Sequence, residues 1–89
     1  MALRLELSPD IKYVRVAHSP FLVHLRTGHC FVLNGLGAEV CDRIAAGSDT
    51  EAIIAHLSCH YDVNAEQLRT DVESFVRTLL DEALARVQP

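Results

Sequence analysis

The sequence predicts an α+β fold in which a three-stranded antiparallel sheet is followed by three helices. Two patterns indicate this fold: apolar and polar residues alternate over residues 11–33, and from Asn34 onward apolar residues recur at the three- and four-residue spacing of helices. The composition sets the scale, because 89 residues with 49% hydrophobic and 22% charged side chains are typical of one small globular domain. We therefore expect a single domain over residues 1–89.

The strands are predicted from alternation and from turn residues. The first strand covers Ile11 to His18, and a hairpin of Phe21 to Arg26 and His29 to Leu33 follows. A two-residue loop would split the largest apolar residues between the two faces, whereas a three-residue loop with Gly28 in the left-handed conformation collects them on one face. The expected pairs are then Leu25 with His29, Val23 with Phe31, and Phe21 with Leu33, leaving Leu22 beside Val32 on the outer face.

The first two helices are short. Asn34 can cap the first, which ends at Gly47-Ser48, and Asp49 or Thr50 can cap the second, which ends near Tyr61-Asp62. The residues expected to be buried are Leu36, Val40, Cys41 and Ile44 in the first helix, and Ile53, Ile54 and Leu57 in the second.

The third helix has the longest periodic segment. It opens after a turn through Val63-Asn64, and its apolar residues recur at spacings of three and four over about five turns. These residues are Leu68, Val72, Phe75, Val76, Leu79, Leu80, Ala83, Leu84 and Val87. A small sheet followed by three helices, the last two joined by a tight turn, is a winged helix-turn-helix arrangement.

Charge and hydropathy argue against several classes of protein. With 8 Lys+Arg against 12 Asp+Glu, the net charge of −4 has the wrong sign for binding the phosphates of nucleic acid. No apolar run approaches the length of about 18 residues that spans a bilayer, and the first residues lack a signal-peptide core, so we expect a cytoplasmic protein that does not bind membranes. Cys30, Cys41 and Cys59 have no CxxC spacing, and we expect reduced thiols that pack as small apolar residues.

No set of catalytic or ligand-binding residues is complete. The Cys59-His60 and His29-Cys30 pairs are adjacent, so their side chains point apart and do not form a nucleophile and base. His56 stands one helical turn before His60, but a third and a fourth metal ligand are missing. The Gly35-x-Gly37 pair lacks the further residues of a nucleotide-binding loop and is interpreted as a tight strand-to-helix turn. We expect no catalytic residue, no metal and no cofactor.

The remaining candidate is a peptide-binding surface. A three-stranded sheet in so small a domain has free edges, on which an extended peptide can add a strand or two copies can pair as a homodimer. The third helix has more apolar residues than one stripe requires, so a groove between this helix and the sheet edge can hold apolar side chains of a bound strand. The alternative is that these residues only build the core.

A series of short motifs extends from about Tyr13 to Leu84 in a fixed order. They are Arg26-Thr27-Gly28-His29-Cys30-Phe31-Val32-Leu33-Asn34, Gly37-Ala38-Glu39-Val40, Gly47 with Glu51-Ala52-Ile53, then Leu57, Tyr61 and Val63, and finally Asp71-Val72 with Phe75 and Leu79. Their order and spacing resemble the PqqD-like family of precursor-peptide recognition elements, and are most similar to its free-standing B1 form in lasso-peptide biosynthesis. Two positions depart from the family: Cys41 stands where many relatives have Trp, and Ala83-Leu84 stands where Gly-Leu often closes the last helix, which suggests a longer helix here.

The resemblance implies a winged helix-turn-helix domain that catalyses nothing and acts as a peptide chaperone. Such domains bind the leader of a ribosomally synthesised precursor as a strand added to the third strand, beside the third helix. They present it to maturation enzymes, which in lasso pathways are a B2-type leader peptidase and a macrolactam cyclase. The implied peptide-binding residues are His29, Cys30, Phe31, Val32 and Leu33 of the third strand, and Leu68, Asp71, Val72, Phe75 and Leu79 of the third helix.

The competing hypothesis is a DNA-binding regulator, because the same architecture also serves that function. A DNA reader presents Arg and Lys at the start of its recognition helix and in its wing. Here the third helix begins Ala65-Glu66-Gln67-Leu68-Arg69, and the hairpin tip offers only Arg26. The sequence therefore favours a peptide-binding module over a DNA-binding one.

Overall fold

The computed structural model describes residues 2–16, 20–60 and 64–88. It shows an α+β domain with a three-stranded antiparallel sheet and three helices, which confirms the predicted fold class. A second sheet of two strands is additional to the prediction. The elements in chain order are β1 (Leu5–Leu7), β2 (Ile11–Val14), β3 (Phe21–His24), β4 (Cys30–Val32), α1 (Gly35–Ala45), α2 (Thr50–His60), α3 (Ala65–Asp81) and β5 (Ala85–Val87).

The central sheet has the order β2–β3–β4, and the register of its hairpin differs from the prediction by one residue. Leu22 pairs with Phe31, and the N–H of His24 donates to the carbonyl of His29 over 2.8 Å to close a loop of residues 25–28. Gly28 has the predicted left-handed conformation, with φ of 77°. The three-residue loop and the strand pairs that depended on it are wrong.

The register follows from which side of β3 meets the helices. Leu22 is fully buried, between Tyr13 of β2 and Phe31 of β4, whereas Leu25 is 60% exposed. Both faces of the segment 21–25 are apolar, so the alternation of residue types does not decide between them, and contact with the helices does. Val32 lies on the outer face as expected, but Leu22 lies on the opposite one.

Each helix begins at a side-chain cap, which accepts a main-chain N–H that has no partner within the helix. The cap oxygens and the N–H groups they accept are those of Asn34 with Gly37 (2.7 Å), Asp49 with Ala52 (2.8 Å), and Asn64 with Glu66 (2.8 Å). Asp49, and not Thr50, therefore caps α2. The predicted helix end near Tyr61-Asp62 lies outside the described residues, as do residues 17–19 at the end of the predicted first strand.

The third helix ends earlier than predicted. Ala83, two residues beyond α3, has φ of 57°, in the left-handed region. The N–H of Leu84 donates to the carbonyl of Leu79 over 2.8 Å, and the N–H of Ala83 donates to that of Leu80 over 3.1 Å. This pair of bonds is the Schellman arrangement that closes a helix. The expected continuation of the helix to Val87 is therefore wrong, and so is the longer helix suggested by Ala83-Leu84.

The chain then turns back and pairs with its own beginning. β5 is antiparallel to β1, with Leu5 opposite Val87 and Leu7 opposite Ala85. The two-stranded sheet brings Leu5, which is 1% exposed, into the core. Segments of three residues leave too short a pattern for alternation to identify a strand.

One hydrophobic core lies between the sheets and the helices. It includes the residues predicted to be buried in α1 and α2, except that Leu36 is only half-buried. The core residues are Leu5, Ile11, Leu22, Leu33, Val40, Cys41, Ile44, Ile53, Ile54, Leu57, Leu68, Val72, Val76, Leu79, Leu84 and Ala85. None of the helices in the described ranges is long and apolar enough to cross a membrane.

A polar contact joins β2 to α1. The hydroxyl of Tyr13 donates to Oδ1 of Asp42 over 2.9 Å, and Nη1 of Arg15 donates to Oδ2 of the same carboxylate over 2.6 Å. Burial raises the pKa of Tyr13 above its usual value of 10.0, so the hydroxyl keeps its proton and donates at neutral pH. The first strand of the central sheet is thereby attached to the helical layer.

Candidate functional site

The candidate site is the free edge of β4. The N–H of Leu33 donates to the carbonyl of Pro20 over 3.0 Å, and the carbonyl of His29 accepts a bond from β3 over 2.8 Å. Hydrogen-bonded positions alternate along an antiparallel pair, so Cys30 and Val32 direct their N–H and C=O groups to the opposite side. Within the described residues, β4 has no neighbouring strand on that side.

The side chains of this edge divide between the two faces of the sheet. Cys30 is exposed and Val32 is 82% exposed, both on the outer face. Phe31 is half-buried against the core and Leu33 is buried, both on the inner face. The ring of His29 lies beside that of Phe31, with centroids 5.7 Å apart. A strand added to this edge would therefore meet apolar side chains on both faces.

The predicted residues of α3 do not share one environment. Leu68, Val72 and Leu79 are 4%, 0% and 1% exposed and belong to the core. Phe75 is half-buried and Asp71 is exposed. The first three therefore lie beneath the surface of the helix, and of these five residues only Phe75 and Asp71 have substantial exposed surface. The part that these residues play in binding stays a prediction.

Asp71 lies on the exposed flank of α3. Its Oδ1 accepts a hydrogen bond from Nε2 of Gln67 over 2.9 Å. No Arg or Lys in the described part of the chain forms an ion pair with it. The carboxylate therefore keeps acceptor capacity for an incoming donor.

Phe75 connects α3 to the segment that follows β4. Its ring lies against Gly37, because a Cβ built on that glycine would be 3.2 Å from Cε1 of the ring. Asn34, two residues beyond the end of β4, caps this same first turn of α1. The interpretation of Gly35 and Gly37 as a strand-to-helix turn is wrong, since both lie within α1 and neither has a positive φ.

The other candidate groups do not form a site. Cys41 is buried, and burial raises the pKa of its thiol to about 12. Cys30 and Cys59 are exposed, so the expectation that the cysteines pack as small apolar residues is wrong for these two. The rings of His56 and His60 stack with centroids 4.3 Å apart. Across residues 2–16, 20–60 and 64–88, no three His, Cys, Asp or Glu side chains are grouped so that they could hold a metal ion.

The basic residues that a DNA reader would need are engaged with carboxylates. Both terminal nitrogens of Arg69, in the first turns of α3, donate to Glu51 over 2.8 Å each. These bonds hold the pKa of Glu51 below its usual value. At the hairpin tip, Arg26 lies 3.4 Å from Asp10. The DNA-binding hypothesis finds no support in this arrangement.

The fold and the free edge define a small winged helix-turn-helix domain in which, within the described residues, one edge of β4 has no strand beside it. Residues 21–85 match the family described as coenzyme PQQ synthesis protein D (PqqD), and the chain belongs to that family. The resemblance drawn from the sequence motifs is thereby confirmed. No curated protein sequence matches the chain.

Two solved structures have the same fold. One is described as TbiB1 in complex with the TbiA(beta) leader peptide; it is 23% identical, with 91% of this chain and 94% of that chain covered and a TM-score of 0.83. The other is described as lasso peptide synthetase B1 complexed with the leader peptide; it is 22% identical, with 93% of this chain and 98% of that chain covered and a TM-score of 0.84.

Two features of the site could not be predicted from the sequence pattern. The direction of the main-chain groups on β4 depends on the hairpin register, which the residue pattern did not determine. The contact between Gly37 and Phe75 joins positions 38 residues apart, and the pair of glycines at 35 and 37 was its only sequence indication.

Proposed function

We propose that this chain is a non-catalytic recognition domain that binds the leader of a ribosomally synthesised precursor peptide as a strand added to β4. The observation that supports this most is the open edge, where Cys30 and Val32 direct N–H and C=O groups away from β3. Membership of the PqqD family supports it as well, together with two relatives of the same fold whose structures contain leader peptides.

The geometry of the edge defines how a leader would lie. Leader residues that pair with Cys30 and Val32 direct their side chains to the outer face, and the residue between them directs its side chain inward, beside Phe31. Main-chain hydrogen bonds contribute about 0.5–1.5 kcal/mol each and do not depend on leader sequence. Discrimination between leaders therefore rests on side chains, and the inward one, which we call the inner anchor, lies beside the half-buried Phe31.

The proposed site combines contacting and supporting residues. Its contacting members lie on β4 and on the exposed flank of α3, and its supporting members lie beneath them in the core. The contacting residues are His29, Cys30, Phe31, Val32, Asp71 and Phe75, and the supporting residues are Leu33, Leu68, Val72 and Leu79. Asp71 is placed to accept a hydrogen bond from a basic residue or a main-chain N–H of the leader.

In this proposal the domain works in the cytoplasm and uses neither a metal nor a cofactor. It presents the bound leader to the enzymes that complete the peptide, which for a lasso pathway are a B2-type leader peptidase and a macrolactam cyclase. The same edge is open to a second copy of the chain. A homodimer formed through β4 and a leader complex therefore exclude each other.

The edge is tested by replacing Val32 with proline, which removes one outward N–H without touching the bonds to β3. The measurement is fluorescence anisotropy with a labelled synthetic leader peptide, taken from a precursor to be identified among the short reading frames beside this chain's gene. Loss of one main-chain bond, and the clash of the proline ring with the added strand, should weaken binding about tenfold or more.

Val32→Ala is the matched control, because it keeps the N–H and removes only side-chain atoms that are largely in solvent. We expect it to bind within about threefold of the wild type. Circular dichroism should show the helices intact in both variants. Wild-type affinity in a folded Val32→Pro protein would exclude the β4 edge as the binding surface.

A further inference from the structure

Gly37 occupies a position at which a residue with a Cβ would press closely on Phe75. A Cβ built on it would be 3.2 Å from Cε1 and 3.3 Å from Cζ of the ring, and 3.2 Å from Oδ1 of Asn34. These distances are shorter than ordinary van der Waals contacts, so a neighbour would have to shift by a few tenths of an ångström. Gly35, two residues earlier in the same turn, has nothing within 4 Å of its Cβ position.

The backbone does not explain a glycine at this position. Gly37 lies inside α1, and its φ is not in the left-handed region. Alanine is a better helix former than glycine, so local helix formation favours replacement. The close contacts with the ring and with the cap oxygen of Asn34 are the features that oppose it.

The position of this ring affects the proposed binding site, because Phe75 is the half-buried aromatic residue on the exposed flank of α3. The ring lies between its own helix and the first turn of α1, which begins directly after β4 and Asn34. An aromatic ring is rigid, so a push from α1 moves the whole ring and does not merely bend its tip. The displacement is directed away from α1, so it changes the exposed α3 flank to which Phe75 belongs.

We propose that Gly37 is a positioning residue: because it has no Cβ, the Phe75 ring can pack against α1, and the position of the ring sets the size of inner anchor that the groove beside β4 accepts. This inference rests on the proposed function and adds a determinant of leader specificity to it. The partner chemistry is an apolar side chain on an extended peptide. The consequence is that Gly37→Ala should narrow the groove, whereas Gly35→Ala should not.

The binding experiment compares the two alanine variants with the same labelled synthetic leader. An alanine scan of that peptide against the wild type first identifies its inner anchor as the position where truncation costs most affinity. Gly37→Ala should bind the intact leader about tenfold more weakly than the wild type, and the anchor-truncated leader within about threefold. Gly35→Ala should match the wild type for both peptides.

A change in the ratio of the two affinities separates positioning from general loss of structure. A damaged helix cap at Asn34 would weaken both peptides equally. In a Phe75→Leu background, where the flexible side chain can yield, the effect of Gly37→Ala should fall to less than about threefold. An undiminished effect in that background would assign the loss to the cap and overturn the inference.

A second measurement detects a change in the surroundings of the Phe75 ring in the protein without peptide. The chain has three phenylalanines, so a protein labelled with para-fluorophenylalanine should give three fluorine resonances, assigned by single Phe→Leu variants. Gly37→Ala should shift the Phe75 resonance, and Gly35→Ala should leave it in place. An unshifted Phe75 resonance overturns the inference while leaving the proposed function intact; failure of the wild type to bind the leader overturns the proposed function itself.

Discussion

Ala83→Gly is the substitution that most directly tests how α3 ends. Ala83 is exposed and has φ of 57°, a conformation that glycine adopts freely and other residues adopt at a cost. Its carbonyl accepts a hydrogen bond from the hydroxyl of Ser8 over 2.7 Å, and the substitution leaves this bond unchanged because it involves only the main chain of Ala83. The change therefore removes strain without removing a contact of consequence.

The expected size of the effect is the difference of two opposing contributions. A left-handed conformation costs a residue with a Cβ about 1–2 kcal/mol. Against this, glycine lowers the unfolding free energy by about 0.4–1 kcal/mol, because the unfolded chain has more conformational freedom at glycine than at alanine. The net gain in unfolding free energy lies between about 0 and 1.6 kcal/mol, and its central value of about 0.8 kcal/mol raises the melting temperature of a domain of this size by about 3–6 °C.

Thermal and urea denaturation followed by far-UV circular dichroism measure this gain. Ala55→Gly, at an exposed position inside α2, is the matched control and should cost about 1 kcal/mol, because glycine weakens a regular helix. The two substitutions are chemically identical and should have opposite signs. If Ala83→Gly destabilises as Ala55→Gly does, Ala83 is helical and the account of the helix end is refuted.

Two further predictions concern ionisable groups. Because the pKa of Glu51 is lowered by its bonds to Arg69, this contact stabilises the fold fully above the ordinary pKa of 4.5, and the stabilisation is lost as the pH falls through the lowered pKa. Glu51→Gln should therefore lower the melting temperature at neutral pH and match the wild type in acid; an equal difference at every pH would contradict this. Ellman's reagent should titrate Cys30 and Cys59 in the native protein and Cys41 only after unfolding, since Cys41 is buried with a thiol pKa of about 12. Reaction of Cys41 at the same rate as the others would show that the core around α1 is open.

The starts of the helices could be predicted because their causes are local. Asn34, Asp49 and Asn64 each accept an N–H no more than three residues away, so a short stretch of sequence contains the whole interaction. The buried residues of α1 and α2 followed from helical periodicity for the same reason. The strand edge was also predictable, since the sheet is small and β4 is its last strand.

The features that sequence missed depend on contacts between distant residues. Leu22 was assigned to the outer face because its neighbours are equally apolar, and only packing against the helices distinguishes the two faces. Helical periodicity shows which residues share a helix face but not whether that face is covered, so it did not show that Leu68, Val72 and Leu79 lie in the core. Ala83 looked helical because alanine favours helices, and the turn at that position is imposed by the pairing of β5 with β1.

The pairing of β5 with β1 has a consequence for the order in which the domain folds. Glu6 and Arg86, whose side chains meet over 3.2 Å across this sheet, are 80 residues apart. Bringing such distant segments together costs more chain entropy than joining neighbouring helices, so α2 and α3 are expected to associate first and the two-stranded sheet to close last. Leu5 becomes buried only at that final step. The part of the core beside α1 is thus completed by β1 and β5, the first and last strands described. Local opening of these two strands is expected to be the first event that exposes the core to solvent.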